Sequence, residues 1–154
     1  MQPSPPIPEG PERRAAITAE VMARTGLNPG AIERFLRAFY GAARTDELLA
    51  PAFATVADWE AHIATIATFW SSVALMTGAY HGQPMRAHAH LKLTPAHFAR
   101  WLALFEGIAR AHFSPEGAAH MIERAQRIAR SLEMGLIPLT LTTARDRALQ
   151  GAQS

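Results

Sequence analysis

The segment DWEAHIATIATFWSSVALMTG, residues 58–78, carries the clearest helical pattern of the chain. Apolar side chains recur in it every three or four residues, as they do along one face of an α-helix. The apolar positions are Trp59, Ile63, Ile66, Phe69, Trp70, Val73 and Met76. His62 is the one polar member of this stripe, Asp58 is a typical N-cap residue and Gly78 a typical terminator. We therefore predict a long helix that turns His62 towards the core.

Three further helices are marked by a polar capping residue followed by proline. Asn28-Pro29, Thr94-Pro95 and Ser114-Pro115 each place proline at a first helical position. Apolar periodicity extends these helices to about residues 44, 112 and 134. A first helix over 12–25 and a short helical turn over 85–91 complete the set, and no segment shows a convincing strand pattern. The sequence thus predicts an all-α fold class.

The length of 154 residues suits one globular domain. We predict this domain over residues 29–136, preceded by a Pro-rich leader over 1–28 that could include a short extra helix. Residues 137–154 are expected to form an irregular C-terminal tail. Within the domain, Pro51 forces a corner at which Leu48, Leu49 and Phe53 are expected to be buried.

Composition excludes several classes of function. The chain has no cysteine, which removes thiolate nucleophiles, disulfides and Fe–S clusters. Its formal net charge is only +2 and its arginines are scattered, whereas nucleic-acid binders cluster their positive charge. No run approaches the about 20 apolar residues that a membrane span requires. We therefore expect a cytoplasmic protein that binds neither nucleic acid nor membrane.

The common sequence signatures of enzymes are absent. The chain contains no Glu-x-x-His pair of a di-iron bundle and no H-E-x-x-H zinc motif. It likewise lacks a P-loop, a G-x-G-x-x-G and a G-x-S-x-G. Its chemistry is therefore to be sought among the histidines.

The stretch GQPMRAHAHLKLTP, residues 82–95, contains two histidines separated by one residue. On a helix such residues point about 200° apart, so only one of them can face the interior. His88 shares its face with the apolar Met85 and Leu91, which selects His88 rather than His90 for burial. Periodicity alone leaves two roles open for His88: a core histidine hydrogen-bonded to a backbone carbonyl, or a metal ligand.

Other polar-tipped side chains are predicted to face the same core. They are His62, Tyr40 and Trp101, each on a different helix. Buried polar groups need partners, and a ligand between the helices would supply them. Haem, a flat apolar group whose metal takes one protein imidazole, fits this set. Two alternatives remain: ordinary half-buried aromatic residues, and a metal ion held by several histidines among His81, His88, His90 and His97.

These segments resemble the group III truncated hemoglobins. FYGAARTDELLAPAF is similar to the B-to-C region of that family, DWEAHIATIATFWSSV to its distal E helix, YHGQPMRAH to the loop before the proximal histidine, and HFARWLALF to its G helix. The likeness runs from about Ile32 to Leu132 and implies a two-over-two helical sandwich with an N-terminal extension. Ala43 and Glu47 depart from the valine and proline of many members, and a Leu-Pro pair soon after the proximal histidine is missing.

The resemblance also implies roles for single residues. His88 matches the proximal ligand of the haem b iron, and Tyr40, His62 and Trp101 match the distal residues that face a bound ligand. Phe53, Ile66, Phe69 and Trp70 match walls of the haem pocket, to which we add Met85 and Tyr80 as expected contacts of the cofactor. Arg86, Tyr80 and His97 are candidates to hold the haem propionates.

The function that the resemblance implies is binding of O₂, or of NO, cyanide or sulfide, at a haem iron that an unidentified reductase keeps reduced. Several distal hydrogen-bond donors predict slow release of the ligand. The alternative is a haem enzyme with peroxidase-like or NO-detoxifying activity. Such a peroxidase usually pairs a distal base with a cationic donor, and no arginine lies on the apolar stripe of residues 59–76. We therefore favour a binding protein over an enzyme.

Overall fold

The computed structural model describes residues 10–136. Within this range the chain forms six α-helices and two short 3₁₀ turns, and no strand. The helices are α1 (Pro11–Thr25), α2 (Pro29–Ala43), α3 (Trp59–Leu75), α4 (Pro84–His88), α5 (Pro95–His112) and α6 (Pro115–Leu136). The 3₁₀ turns are Ala50–Phe53, at the corner between α2 and α3, and Ala89–Leu91, directly after α4. The all-α prediction is confirmed, whereas the predicted tail over 137–154 lies outside the described residues.

The predicted capping residues begin their helices. The Asn28 side chain accepts a hydrogen bond from the backbone N–H of Ala31 at 2.9 Å, and Asp58 accepts one from Ala61 at 3.1 Å. Ser114 accepts from the N–H of Gly117 at 3.2 Å at the start of α6. Each bond satisfies one of the backbone donors that a helix leaves free at its N-terminus. The proline that follows Asn28, Thr94 or Ser114 supplies no N–H and needs no such partner.

The helices pack as two pairs. α2 lies on α3 and α5 lies on α6, and the pairs are joined by α2 against α5 and α3 against α6. α2 contributes a continuous buried stripe, formed by Ile32, Phe35, Leu36, Phe39, Tyr40 and Ala43. The Phe35 ring meets Phe105 of α5 at 4.8 Å edge-on, and Phe105 stacks on Trp70 of α3 at 5.1 Å. This aromatic core fixes how the two pairs sit on each other.

The end of α3 differs from the prediction. The helix stops at Leu75, and Met76 takes a left-handed conformation with φ 61° and is 50% exposed rather than part of the buried stripe. The last carbonyls of α3 are instead satisfied by side chains from other helices. Thr18 of α1 donates to Leu75 at 2.6 Å, His120 of α6 bonds Ala74 at 2.8 Å and Arg124 of α6 donates to Val73 at 3.3 Å. Because these partners close the helix at Leu75, Met76 is turned outwards.

The corner between α2 and α3 is held by Asp46. Its carboxylate accepts from the backbone N–H groups of Leu48 and Leu49, each at 3.1 Å, and from the Arg100 guanidinium at 2.6 Å. The Arg100 guanidinium and these backbone donors lower the pKa of the Asp46 carboxyl. Leu49 is buried as predicted, but the prediction for Leu48 is wrong, since its side chain is 38% exposed. Asp46 thereby ties to α5 the segment that carries Phe53.

No helix among residues 10–136 has both the length and the apolar character needed to cross a membrane.

Candidate functional site

A cavity of about 550 Å³ lies between α3 on one side and the α4 to α5 segment on the other. Its volume is in the range of sites that hold small organic ligands, and its walls are mostly apolar. The predicted site residues that line it are Tyr40, Phe53, His62, Ile66, Phe69, Trp70, Tyr80, His88 and Trp101. Side chains that are distant in sequence are thus brought to one space.

His88 lies on the cavity wall at the end of α4, half-buried. Its Nδ1 is 2.6 Å from the carbonyl oxygen of Pro84, one turn earlier. A carbonyl oxygen only accepts, so Nδ1 carries the proton in the neutral ring. Nε2 is then the unprotonated nitrogen, which is the form an imidazole needs to bind a metal. His88 could therefore act as a single metal ligand.

Tyr40 reaches the cavity from α2 and is buried. Burial raises the pKa of its hydroxyl to about 12, and the neighbouring Trp101 side chain opposes that rise. The hydroxyl therefore stays protonated at neutral pH and can donate a hydrogen bond. Edge-on contacts with Phe39 at 4.8 Å and Phe53 at 5.8 Å fix the ring.

Trp101 comes to the same side of the cavity from α5. Its ring stacks on Phe105 at 5.1 Å and meets Phe39 edge-on at 5.6 Å. The indole N–H is a donor only. Tyr40 and Trp101 thus form a pair of donors on side chains that aromatic packing holds in place.

His62 lies on α3, half-buried, and lines the cavity. Its ring meets Trp59 at 5.3 Å and Tyr40 at 6.3 Å, both edge-on. Burial lowers the pKa of His62, and the nearby His88 lowers it further. Both effects favour the neutral imidazole, which can donate through one nitrogen and accept through the other.

The apolar wall is formed mainly by α3. Phe69 packs edge-on against Trp70 at 5.7 Å and against Tyr80 at 5.2 Å. Phe53 faces them from the corner before α3, and Ile66 lies one turn before Trp70 on α3. Tyr80 is folded over the backbone of Gly82, where a Cβ atom would collide with its hydroxyl.

Met85 is not brought to this cavity, contrary to the expectation from its spacing to His88. Its side chain is packed against Gly135 near the end of α6, beside a shallow groove that Arg86 also lines. α4 has only five residues, so its neighbours rather than its periodicity decide which side chains turn to the cavity. Arg86, a candidate for the propionates, likewise lies outside the cavity lining, while His90 and His97 lie on it.

The chain matches no sequence-family model. It is 33% identical over 109 residues to the group 3 truncated hemoglobin Ctb of Campylobacter jejuni, an alignment that covers 67% of this chain and 86% of the relative. The chain belongs to the group III truncated hemoglobins.

The fold agrees with this membership. The crystal structure of a group III truncated hemoglobin from Campylobacter jejuni superposes with a TM-score of 0.65 at 32% identity, covering 71% of this chain and 91% of that one. The predicted truncated-globin fold is confirmed. Membership of a globin family also implies haem binding.

The donor set of the cavity suits haem better than a bare metal ion. Among residues 10–136 no three side chains of His, Cys, Asp or Glu come together as metal ligands. The proposed alternative of several histidines is disfavoured, since His81 does not line the cavity with His88, His90 and His97. The imidazole of His88, with one unprotonated nitrogen at the wall of a mostly apolar space, fits a cofactor that brings the other ligands of its iron. The residues of this truncated hemoglobin therefore fit the group that its family implies.

Sequence reasoning missed the floor of the cavity. Phe98 of α5 and Ile128, Ala129 and Leu132 of α6 line it, although none of them was assigned to the site. Their periodicity on α5 and α6 predicts that they are buried, but not whether they face a helix or a cavity. For His97 the sequence suggests a contact with the propionates or a place in a metal site of several histidines. The structure shows that its Nδ1 also accepts from the backbone N–H of Thr94 at 3.1 Å, in the capping box of α5.

Proposed function

We propose that this truncated hemoglobin holds haem b in the cavity through Nε2 of His88 and binds O₂ on the side of Tyr40, Trp101 and His62. The observation that supports this most directly is the Nδ1 of His88 at 2.6 Å from the Pro84 carbonyl, which leaves Nε2 free on the wall of an apolar cavity. Bound there, haem would supply an iron with one position open to a small ligand.

The Pro84 carbonyl acts on His88 in two ways. It keeps the proton on Nδ1, and it fixes the ring so that Nε2 does not rotate away from the cavity. By drawing on the Nδ1 proton, the carbonyl also makes the ring a stronger electron donor at Nε2. The strength of this hydrogen bond therefore sets the basicity of His88 Nε2, the nitrogen that would bind the iron.

The distal donors set how long a small ligand stays. Tyr40 keeps its proton because burial raises its pKa, and the Trp101 indole has no other protonation state at ordinary pH. A hydrogen bond from each to a ligand that gains partial negative charge stabilises the bound state by about 1–3 kcal/mol. Release is then slow, which suits capture of O₂, or of NO, cyanide or sulfide, better than oxygen delivery.

The alternative function is a haem enzyme with peroxidase-like or NO-detoxifying activity. A peroxidase needs a distal base and a cationic donor that together polarise an O–O bond. In the described part of the chain His62 offers the base, but no arginine or lysine lines the cavity. The site therefore favours ligand binding, and the reductase partner and cytoplasmic location stay predictions.

The absorption spectrum of the dithionite-reduced protein, with and without CO, tests the proposal. We expect purified protein, or protein reconstituted with hemin, to show a Soret band that sharpens and shifts when CO is added. A colourless preparation that takes up no hemin would contradict the proposal.

A further inference from the structure

Arg44 covers the ring of Trp59. The carbon at the centre of its guanidinium is 4.1 Å from the Trp59 ring centroid. A cation at this distance from an indole face is attracted by the ring quadrupole. Arg44 is exposed, and within residues 10–136 its guanidinium makes no ion pair, so Trp59 is its main contact.

Trp59 lies behind His62 and outside the cavity lining. It is the first residue of α3, and its ring meets His62 edge-on at 5.3 Å and Phe53 at 5.5 Å. Tyr40 approaches the same ring at 6.4 Å. Trp59 is therefore the wall against which the side chain of His62 rests.

Ring packing holds the His62 side chain in place. Among the described residues it takes part in ring contacts with Trp59 and Tyr40 but in no hydrogen bond. A half-buried imidazole held only by packing can rotate out when that packing is loosened. The position of His62 thus depends on the position of Trp59.

We propose that Trp59, held by Arg44, is a positioning residue that keeps the His62 imidazole on the cavity wall beside Tyr40, and so limits how fast a small ligand enters. This inference rests on the proposed function. Tyr40 lies in the last turn of α2 and Arg44 is the C-cap residue of that helix. The same helix end therefore supplies the Tyr40 contact on the cavity side of His62 and the Arg44 contact behind Trp59. Loss of the Arg44 contact is expected to let the His62 ring leave this position more often.

A second tie between the same helices supplies the control. Arg37 of α2 binds Glu60 of α3 through two hydrogen bonds of 3.0 and 2.9 Å on the exposed surface, and Arg37 has no ring contact with Trp59. Arg37→Ala therefore removes an arginine that joins α2 to α3 without removing the Arg44 contact with Trp59. Any effect that comes merely from looser packing of α2 on α3 should appear in this variant too.

The test is CO rebinding after flash photolysis of the hemin-loaded, reduced protein. We expect Arg44→Ala to raise the association rate roughly two- to fivefold, the change that a contact of this kind supports. Arg44→Lys, which keeps a cation, should restore part of the original rate, and Arg37→Ala should leave it unchanged. In a His62→Ala background, Arg44→Ala should have no further effect, because the side chain that it positions is gone.

Among the kinetic results, an unchanged rate in Arg44→Ala, the same increase in Arg37→Ala, or an effect of Arg44→Ala that persists without His62 would each overturn the inference. A readout that needs no haem separates this inference from the proposed function. The nuclear Overhauser contact between the rings of Trp59 and His62 should weaken in Arg44→Ala and not in Arg37→Ala. If the chain takes up no hemin the proposed function fails, whereas an unchanged ring contact in Arg44→Ala contradicts the positioning role.

Discussion

The Nδ1 of His88 lies 2.6 Å from the carbonyl oxygen of Pro84, so that the last residue of α4 is bonded to its first. Both residues line the cavity, and the bond spans a helix of only five residues. Such a short helix is marginal by itself, and its position depends on contacts with the rest of the protein. The bond therefore serves two purposes: it satisfies one nitrogen of a half-buried histidine and it aims the other.

Replacing His88 with alanine should abolish stable hemin uptake. His90→Ala is the matched control, because His90 lies two residues away on the exposed side of the same cavity. We expect it to retain the Soret band and bind hemin nearly as tightly as the original protein. Hemin titration followed by absorbance measures both. If His90→Ala loses the cofactor and His88→Ala keeps it, the assignment of the ligand is reversed.

Periodicity predicts the helices and the inward turn of Tyr40, His62, His88 and Trp101, whereas the packing of the helices and the remaining cavity wall are what the resemblance to truncated hemoglobins implies. Every helix of the described range begins within a residue or two of its predicted start. The prediction fails where a single contact with another helix decides which way a side chain is turned. Met85 has the right spacing to His88, yet its side chain is packed against Gly135, and Met76 fits the apolar stripe of α3, yet the helix ends before it. The spacing of residues within one helix does not reveal which residues of other helices, here Gly135, Thr18 and His120, will pack against it.

Tyr40→Phe should speed the dissociation of O₂ by roughly tenfold, the factor that corresponds to about 1.4 kcal/mol for a lost donor. The variant keeps the ring and its edge-on contacts with Phe39 and Phe53, so the packing of the core is preserved. Stopped-flow displacement of O₂ by CO gives the rate. An unchanged rate would remove Tyr40 from the set of donors and leave Trp101 as the main one.

Protein stability should fall as the pH drops below about 6.5 because His120 resists protonation. His120 is buried on α6 and bonded to Ala74 at 2.8 Å. Burial lowers its pKa from the ordinary 6.5, the Ala74 bond and Glu123 oppose this, and the charges of Arg124 and Arg24 add to the lowering. Between pH 6.5 and the lowered pKa of folded His120, this side chain is therefore protonated in the unfolded chain but neutral in the folded chain. The contribution of His120 to the free energy of unfolding is full above this pH range and is lost as the pH falls through it.

His120→Gln tests this pH dependence, since glutamine can still donate to Ala74 and does not titrate. Urea unfolding of the haem-free protein at several pH values should show a flatter dependence in the variant than in the original protein. Some slope should remain because the pKa of His62 is also lowered. Equal slopes in the two proteins would show that His120 is protonated as easily when folded as when unfolded.

Two glycines on the paired helices α5 and α6 should respond in opposite directions to the same substitution. A Cβ at Gly117 would lie 2.9 Å from the backbone carbonyl oxygen of Thr25, at the point where the start of α6 meets the end of α1. A backbone atom cannot move aside as a side chain can, so Gly117→Ala is expected to destabilise the protein by about 1–3 kcal/mol.

A Cβ at Gly107, within α5, would meet nothing within 4 Å. Gly107→Ala should instead stabilise by about 0.5–1 kcal/mol, because alanine favours the helix. Urea unfolding measures both, and a stabilising Gly117→Ala would mean that α1 does not pack against the start of α6 as closely as its contacts indicate.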